Sequence, residues 1–109
     1  MSDVQSLFKQ AEQLKDEGKR EEAAAMLLDL LQIDPSHILS HLTLGRIFTQ
    51  LGRHAEAIQH SLKACELEPT DSFNFTALSV TYQRAFAGTG DRQFIYLAEE
   101  AMARARSME

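Results

Sequence analysis

The stretch HLTLGRIFTQLGRHAEAIQHSLKACELEP, residues 41–69, indicates how the whole chain folds. It contains two runs rich in Leu, Ala, Ile and Gln, which favour helices, separated by Gly52 and followed by Pro69. Glycine suits the turn that ends a helix, and the residue before a proline avoids helical backbone angles. The stretch therefore predicts a helical hairpin, in which two helices are joined by a tight turn at Gly52.

The same features recur along the chain at a step of 34 residues. Gly18 precedes Gly52 by this step, and Pro35 precedes Pro69 by the same step. Further matches are Ala11, Gly45 and Ser79; Leu14, Phe48 and Tyr82; Ala23 and Ala57; and Leu44 and Leu78. The small residues of the first set let two helices approach closely, and the large residues three positions later lie on the same face. The step predicts consecutive helical hairpins.

Apolar periodicity within the runs supports this interpretation. In residues 20–33, apolar side chains follow the i, i+3, i+4, i+7, i+8 spacing of one helix face: Ala23, Met26, Leu27, Leu30 and Leu31. The sequence predicts six helices, at about 3–17, 20–33, 37–51, 54–67, 71–86 and 92–107. The expected capping residues around the prolines are Asp34, Ser36, Thr70, Asp71 and Ser72.

This pattern resembles the tetratricopeptide repeat, a 34-residue helix–turn–helix unit. The second unit, about 38–71, matches the family signature through Leu44, Gly45, Phe48, Gly52, Ala57, Ala64 and Pro69, with His41 where the family often has tryptophan. The first unit, about 4–37, matches through Ala11, Leu14, Gly18, Ala23, Leu30 and Pro35, and the third, about 72–107, through Phe75, Leu78, Tyr82, Ala98, Met102 and Ala105. The resemblance implies an all-α fold: a right-handed superhelical stack, or α-solenoid, of about six helices forming one domain over residues 1–109.

The third unit departs from the regular spacing. Nine residues separate Phe48 from Ala57, whereas 16 separate Tyr82 from Ala98, which indicates an insertion of about seven residues. The extra residues lie within 83–95 and include Gly88-Thr89-Gly90. Either the fifth helix is extended or the turn is a longer loop. Such a loop can carry function, and it can equally be a tolerated surface insertion.

Composition restricts the class of function. The chain has 109 residues, 44% hydrophobic and 25% charged, with a net charge of −5. A packed core is therefore expected, and general attraction to nucleic acid or to anionic membranes is not. Residues 1–71 carry 12 acidic and 7 basic side chains, whereas residues 72–109 carry four of each. Neither a secretory signal nor a run of about 18–20 apolar residues is visible, so we expect a cytoplasmic protein.

The sequence offers little chemistry for catalysis or metal binding. Cys65 is the single cysteine, so an internal disulfide is excluded and a buried, inert thiol is expected. His37 and His41 have the spacing of helical metal ligands, but neither has a carboxylate or cysteine nearby in sequence. Gly88-Thr89-Gly90 lacks the strand and the Lys-Ser/Thr pair of a phosphate-binding loop. We therefore expect no enzymatic activity, no cofactor and no metal.

The family resemblance implies that the first helix of each unit lines a concave groove for a protein partner. The groove residues implied here are Phe8, Glu12, Leu39, Leu42, Thr43, Arg46, Phe73, Ala77, Val80 and Arg84. Relatives that bind the acidic C-termini of heat-shock chaperones clamp carboxylates with Lys, Arg and Asn, but the corresponding positions here are Phe8, Glu12, Thr43, Phe73 and Ala77. The resemblance does not extend to that clamp, and a partly apolar peptide or helix is the expected partner.

The last helix suggests a second interface. Residues 92–107 carry a broad apolar stripe that includes Phe94, Ile95, Leu97 and Met102. Repeat stacks usually need polar ends, and exposed apolar patches mark interfaces, so we expect self-association or a second partner there. Two alternatives to a peptide-binding module stay open: a self-assembling structural subunit, and an accessory repeat domain of a larger enzyme or complex.

Overall fold

In the computed structural model, which describes residues 3–109, every run expected to be helical is a helix. The elements are α1 (Val4–Asp16), α2 (Arg20–Ile33), α3 (Ile38–Gln50), α4 (His54–Leu67), α5 (Ser72–Thr89) and α6 (Gln93–Ser107). No strand occurs within these described residues. The expected bounds are correct to within one residue, except that α5 ends three residues later than the position 86 expected from sequence. The fold is an all-α helical repeat solenoid.

Two of the turns between helices depend on glycine. Gly18 and Gly52 have backbone φ angles of 81° and 75°, in the left-handed region that glycine adopts without steric cost. Each follows the first helix of a unit and lets the chain reverse within three residues. The turns predicted from the 34-residue step are confirmed.

Helix capping follows the sequence only in part. The Asp71 carboxylate accepts a hydrogen bond from the N–H of Phe73, 3.0 Å away, and caps α5 as predicted. The expectation for α3 is wrong, because His37 is its N-cap and its Nδ1 accepts from the Ser40 N–H at 3.2 Å. The Asp34 carboxylate instead accepts hydrogen bonds from the N–H and the hydroxyl of Ser36, in the turn before α3.

The insertion in the third unit is helical, so the longer-loop alternative is wrong. Helix α5 has 18 residues where α1 and α3 have 13, and the turn that follows it, residues 90–92, is as short as the turn at 51–53. The rest of the insertion lengthens the start of α6 before Ala98. The added turn of α5 lies against the start of α4, where a Cβ on Gly88 would overlap the His54 imidazole.

The helices stack in chain order to give an elongated body of 43 × 29 × 20 Å. Helix α4 packs against both α3 and α5, and the crossing alanines Ala23 and Ala57 are completely buried. One apolar cluster joins the first two units, with Leu27, Leu44 and Phe48 at its centre. A second cluster lies mainly in the third unit, around Phe75, Leu78 and Tyr82, and includes Cys65 of α4. None of the described helices is long and apolar enough to cross a membrane.

Candidate protein-binding groove

A groove of about 590 Å³ lies between α3 and α5, the first helices of the second and third units. We call it the α3–α5 groove. Its lining residues are Leu42, Arg46, Thr49, Gln50, Ser61, Phe73, Thr76, Ala77, Val80, Thr81 and Arg84. Six of the residues expected from sequence are therefore brought together: Leu42, Arg46, Phe73, Ala77, Val80 and Arg84.

The α5 wall of the groove carries exposed apolar side chains. Phe73 is 58% exposed and Val80 is 43% exposed. The spacing of Phe73, Ala77 and Val80 places them along one helix face, so they form a continuous strip. Large apolar side chains exposed inside a concave surface are the feature that a bound partner would remove from water.

The floor of the groove is polar, and its hydroxyl groups are hydrogen-bonded. The Thr81 hydroxyl donates to the Ala77 carbonyl at 2.9 Å. Its oxygen lies 2.8 Å from the Ser61 hydroxyl, which is consequently the donor of the bond between α4 and α5. Both side chains are buried. The floor thus joins the second unit to the third, and the apolar side chains of the α5 wall stay outside this hydrogen-bonded contact.

Positive charge borders the groove. The guanidinium groups of Arg46 and Arg84 are exposed on its lining, where no acidic residue is found among the described residues. Within residues 3–109 neither group makes an ion pair or a hydrogen bond. Elsewhere on the surface, by contrast, the Arg53 guanidinium lies 2.6 Å from the Glu56 carboxylate.

The first-unit residues lie in a different recess. Phe8, Glu12 and Leu39 line a space of about 660 Å³ at the start of α1 and α3. The Phe8 ring packs against the His37 ring with 5.3 Å between centroids, and the Glu12 carboxylate lies 2.9 Å from the Lys15 ammonium group. Thr43 is half-buried and lies outside both recesses. The ten residues expected to line one groove are therefore divided between two recesses, apart from Thr43.

The residues expected to mediate self-association are also divided. Ile95 and Met102 line a recess of about 660 Å³ between α5 and α6. Phe94 instead stacks on Tyr82, with 6.1 Å between ring centroids, and Leu97 packs against the second apolar cluster. The stripe seen in the sequence thus has one face in the core and one facing a recess.

A pair of histidines between α3 and α4 is a feature that the sequence did not reveal. The Nδ1 atoms of His41 and His60 lie 3.0 Å apart, and His41 Nε2 lies 2.9 Å from the Pro35 carbonyl. His41 Nε2 must donate to that carbonyl, so its Nδ1 accepts from His60 Nδ1–H. Burial, and secondarily the neighbouring His41, lower the pKa of His60. The 19-residue separation follows no helical period, so only the packing position of His41 could be anticipated.

The remaining candidates for chemistry are the Cys65 thiol and side chains that could bind a metal ion. Burial raises the pKa of the Cys65 thiol to about 11, which keeps it protonated and unreactive at neutral pH. Among residues 3–109, no cluster of three or more His, Cys, Asp or Glu side chains is arranged to hold a metal ion.

Comparison with known proteins places this fold in context. A family model for the tetratricopeptide repeat matches residues 39–71. A search of curated proteins finds no match. Among solved structures, MamA superposes on 97% of this chain with a TM-score of 0.81 at 15% identity, and the chain spans 58% of its length. A second MamA structure, from Desulfovibrio magneticus RS-1, is 20% identical with a TM-score of 0.78. The match covers 98% of this chain and 56% of that chain.

Another similar structure is the second repeat domain of Spaghetti (RPAP3), solved bound to the HSP90 peptide SRMEEVD. It is 18% identical with a TM-score of 0.79, over 99% of this chain and 94% of that one. The translocator chaperone SycD from Yersinia enterocolitica gives a TM-score of 0.70 at 18% identity, over 96% of this chain and 86% of that chain. Likeness in fold thus covers nearly the whole chain, and the family model identifies the unit that best carries the 34-residue signature. Residues 39–71 thus match the tetratricopeptide-repeat model, within a fold that the chain shares with these structures over nearly its whole length.

Proposed function

We propose that this chain is a protein-interaction module that binds a segment of a partner protein in the α3–α5 groove. The observation that carries the proposal is the apolar strip along the wall of that groove, in which Phe73 and Val80 are exposed and Ala77 between them is half-buried. Burying one such aromatic or aliphatic side chain against a partner contributes on the order of 1–3 kcal/mol. Recognition would therefore combine an apolar anchor with polar contacts along the groove.

Similar structures support this kind of function in general terms. The Spaghetti domain is bound to an HSP90 peptide, and SycD is a translocator chaperone. Those partners belong to those proteins. For this chain we infer a different mode from a carboxylate clamp, because Phe8, Thr43 and Ala77 stand at clamp positions and cannot supply positive charge. The tetratricopeptide fold is typically an interaction module, and we infer that the chain binds rather than catalyses.

Alanine substitution of Phe73 tests this proposal, with Tyr96→Ala as a matched control. Tyr96 is another exposed aromatic residue, 71% exposed on α6, and it lies outside the groove. Proteins captured from a lysate of the native host would be compared by quantitative mass spectrometry for wild type and both variants. We expect Phe73→Ala to reduce capture of a specific partner about tenfold or more and Tyr96→Ala to leave it unchanged. Equal capture by the two variants, with unchanged helical circular dichroism, would exclude the groove.

Self-association through the α5–α6 recess is a second candidate. Its supporting observation is that Ile95 and Met102, on the apolar stripe of α6, face a recess instead of the core. Light scattering after size-exclusion chromatography tests it at several protein concentrations. We expect an oligomer that Met102→Glu converts to monomer, whereas Phe73→Ala preserves it. A wild-type chain that stays monomeric at every concentration would rule this candidate out.

A further inference from the structure

We propose that the occupant of the α3–α5 groove is an acidic peptide segment that carries an apolar anchor, with Arg46 and Arg84 binding its carboxylates. This inference rests on the proposed function and specifies the chemistry of the partner. It differs from a clamp on a C-terminal carboxylate, because the two arginines lie outside the clamp positions and side-chain carboxylates can satisfy them.

The charge on the lining of the groove is complementary to an acidic segment. The chain carries a net charge of −5, yet the charged groups on the lining of this groove are both arginines. Both guanidinium groups are exposed and, among the described residues, unpaired. A guanidinium presents parallel N–H donors that match the two oxygens of a carboxylate. A segment with acidic residues would therefore complete contacts that the folded chain leaves unmade.

The positions of the arginines define the spacing of the ligand. Stacked units place residues 34 apart at equivalent levels, so Arg46 of α3 is level with Val80 of α5. Phe73 lies about 10 Å along the helix axis from the level of Val80 and about 16 Å from that of Arg84. A peptide bound in an extended conformation advances about 3.3 Å per residue, so its acidic residues would lie about three and five positions from the apolar anchor, before or after it according to the direction in which the peptide runs.

Three synthetic peptides test the inference by fluorescence anisotropy. Each is acetylated and amidated at its ends and carries one Leu anchor. At the third and fifth positions on both sides of the anchor the first has Glu, the second Gln and the third Lys, so that either direction of binding is tested. We expect the Glu peptide to bind wild type about tenfold more tightly than the Gln peptide, and the Lys peptide to bind most weakly. Added salt should weaken binding of the Glu peptide and leave that of the Gln peptide nearly unchanged.

Substitutions then assign the effect to the two arginines. Arg46→Gln and Arg84→Gln should each weaken the Glu peptide about threefold to tenfold and leave the Gln peptide unchanged. Both side chains are exposed, so the folded structure should tolerate these changes. The double variant Arg46→Glu/Arg84→Glu should reverse the preference and bind the Lys peptide most tightly.

The outcomes separate this inference from the proposed function. Equal affinity for the Glu and Gln peptides, with both lost on Phe73→Ala, would overturn the charge preference and leave the groove function intact. A Glu preference that persists in the double arginine variant would also overturn it. If no peptide shows binding that depends on Phe73, the proposed function fails and the inference fails with it.

Discussion

The second and third units build the same helix crossing with different chemistry. In the second unit, α3 approaches α4 at Gly45, where a Cβ would lie 2.7 Å from the Ser61 hydroxyl oxygen. In the third unit the equivalent residue is Ser79, and its hydroxyl donates to the Ala98 carbonyl at 2.8 Å. The comparison shows that the repeat requires a small residue there, while the neighbouring helix decides whether a side chain fits.

The two apolar clusters differ in how completely their side chains are buried. Phe48 is 1% exposed in the first cluster, and Phe75 is 8% exposed in the second. Each ring has an arginine above it, Arg53 at 4.6 Å and Arg104 at 5.0 Å from the ring centroid. Phe48 also stacks on His60. The regular part of the stack is thus more completely packed than the part that carries the insertion, which predicts uneven stability along the chain.

The largest expected effect is the loss of a buried phenylalanine. Phe48→Ala should lower the free energy of unfolding by about 3–5 kcal/mol, because it removes a fully buried ring and leaves a cavity. Phe75→Ala should cost about 1 kcal/mol less, because its site is partly open to solvent and can relax. Urea unfolding followed by circular dichroism measures both. An equal or larger loss at Phe75 would contradict the proposed difference between the clusters.

A smaller effect is expected at the helix crossings. Gly45→Ala should destabilise the fold by about 1–3 kcal/mol, because overlap with the Ser61 hydroxyl outweighs the helix propensity gained. Ser79→Ala should cost about 1 kcal/mol through loss of its buried hydrogen bond. Thermal unfolding of both variants makes the comparison, and Gly45→Ala/Ser61→Ala serves as the control that should recover stability. If Gly45→Ala alone stabilises the chain, the crossing of α3 and α4 has room for a methyl group at this position and the prediction is wrong.

The smallest expected effect is the pH dependence of stability that His60 contributes. Because the pKa of His60 is lowered in the folded chain, the unfolded chain takes up a proton first as the pH falls below 6.5. Stability should therefore be highest above that pH and decline toward pH 5.5. His60→Gln should lessen the decline when unfolding is measured at pH 7.5 and 5.5. An identical pH dependence in wild type and His60→Gln would contradict the assigned environment.

Much of the fold could be predicted because its signals are local. Gly18 and Gly52 mark left-handed turns, and Pro35 and Pro69 follow helix ends, so each boundary depends on a few neighbouring residues. The insertion within 83–95 was located from spacing alone, but its helical form was not. That form depends on α5 continuing over α4, where Gly88 lies against His54.

For the candidate sites, the sequence predicted some of the lining residues but not how they are grouped in space. Leu42, Phe73 and Val80 were expected to face one concave surface, and they do line one groove. Phe8 was expected beside them, but it packs against His37 in a separate recess. The His41–His60 pair was missed for the same reason: contacts between helices depend on how the units are rotated against each other, which the 34-residue period does not specify.

Thus the amino-acid sequence alone determined where the helices begin and end, that they form hairpins in series, and that the first helices carry an apolar face. These properties arise from backbone preferences and from side chains three or four residues apart. The tertiary structure decided that the concave surface divides into recesses, that the insertion becomes helix, and that Arg46 and Arg84 border one groove. Those outcomes depend on distances between residues far apart in sequence, which are set only when the units pack together.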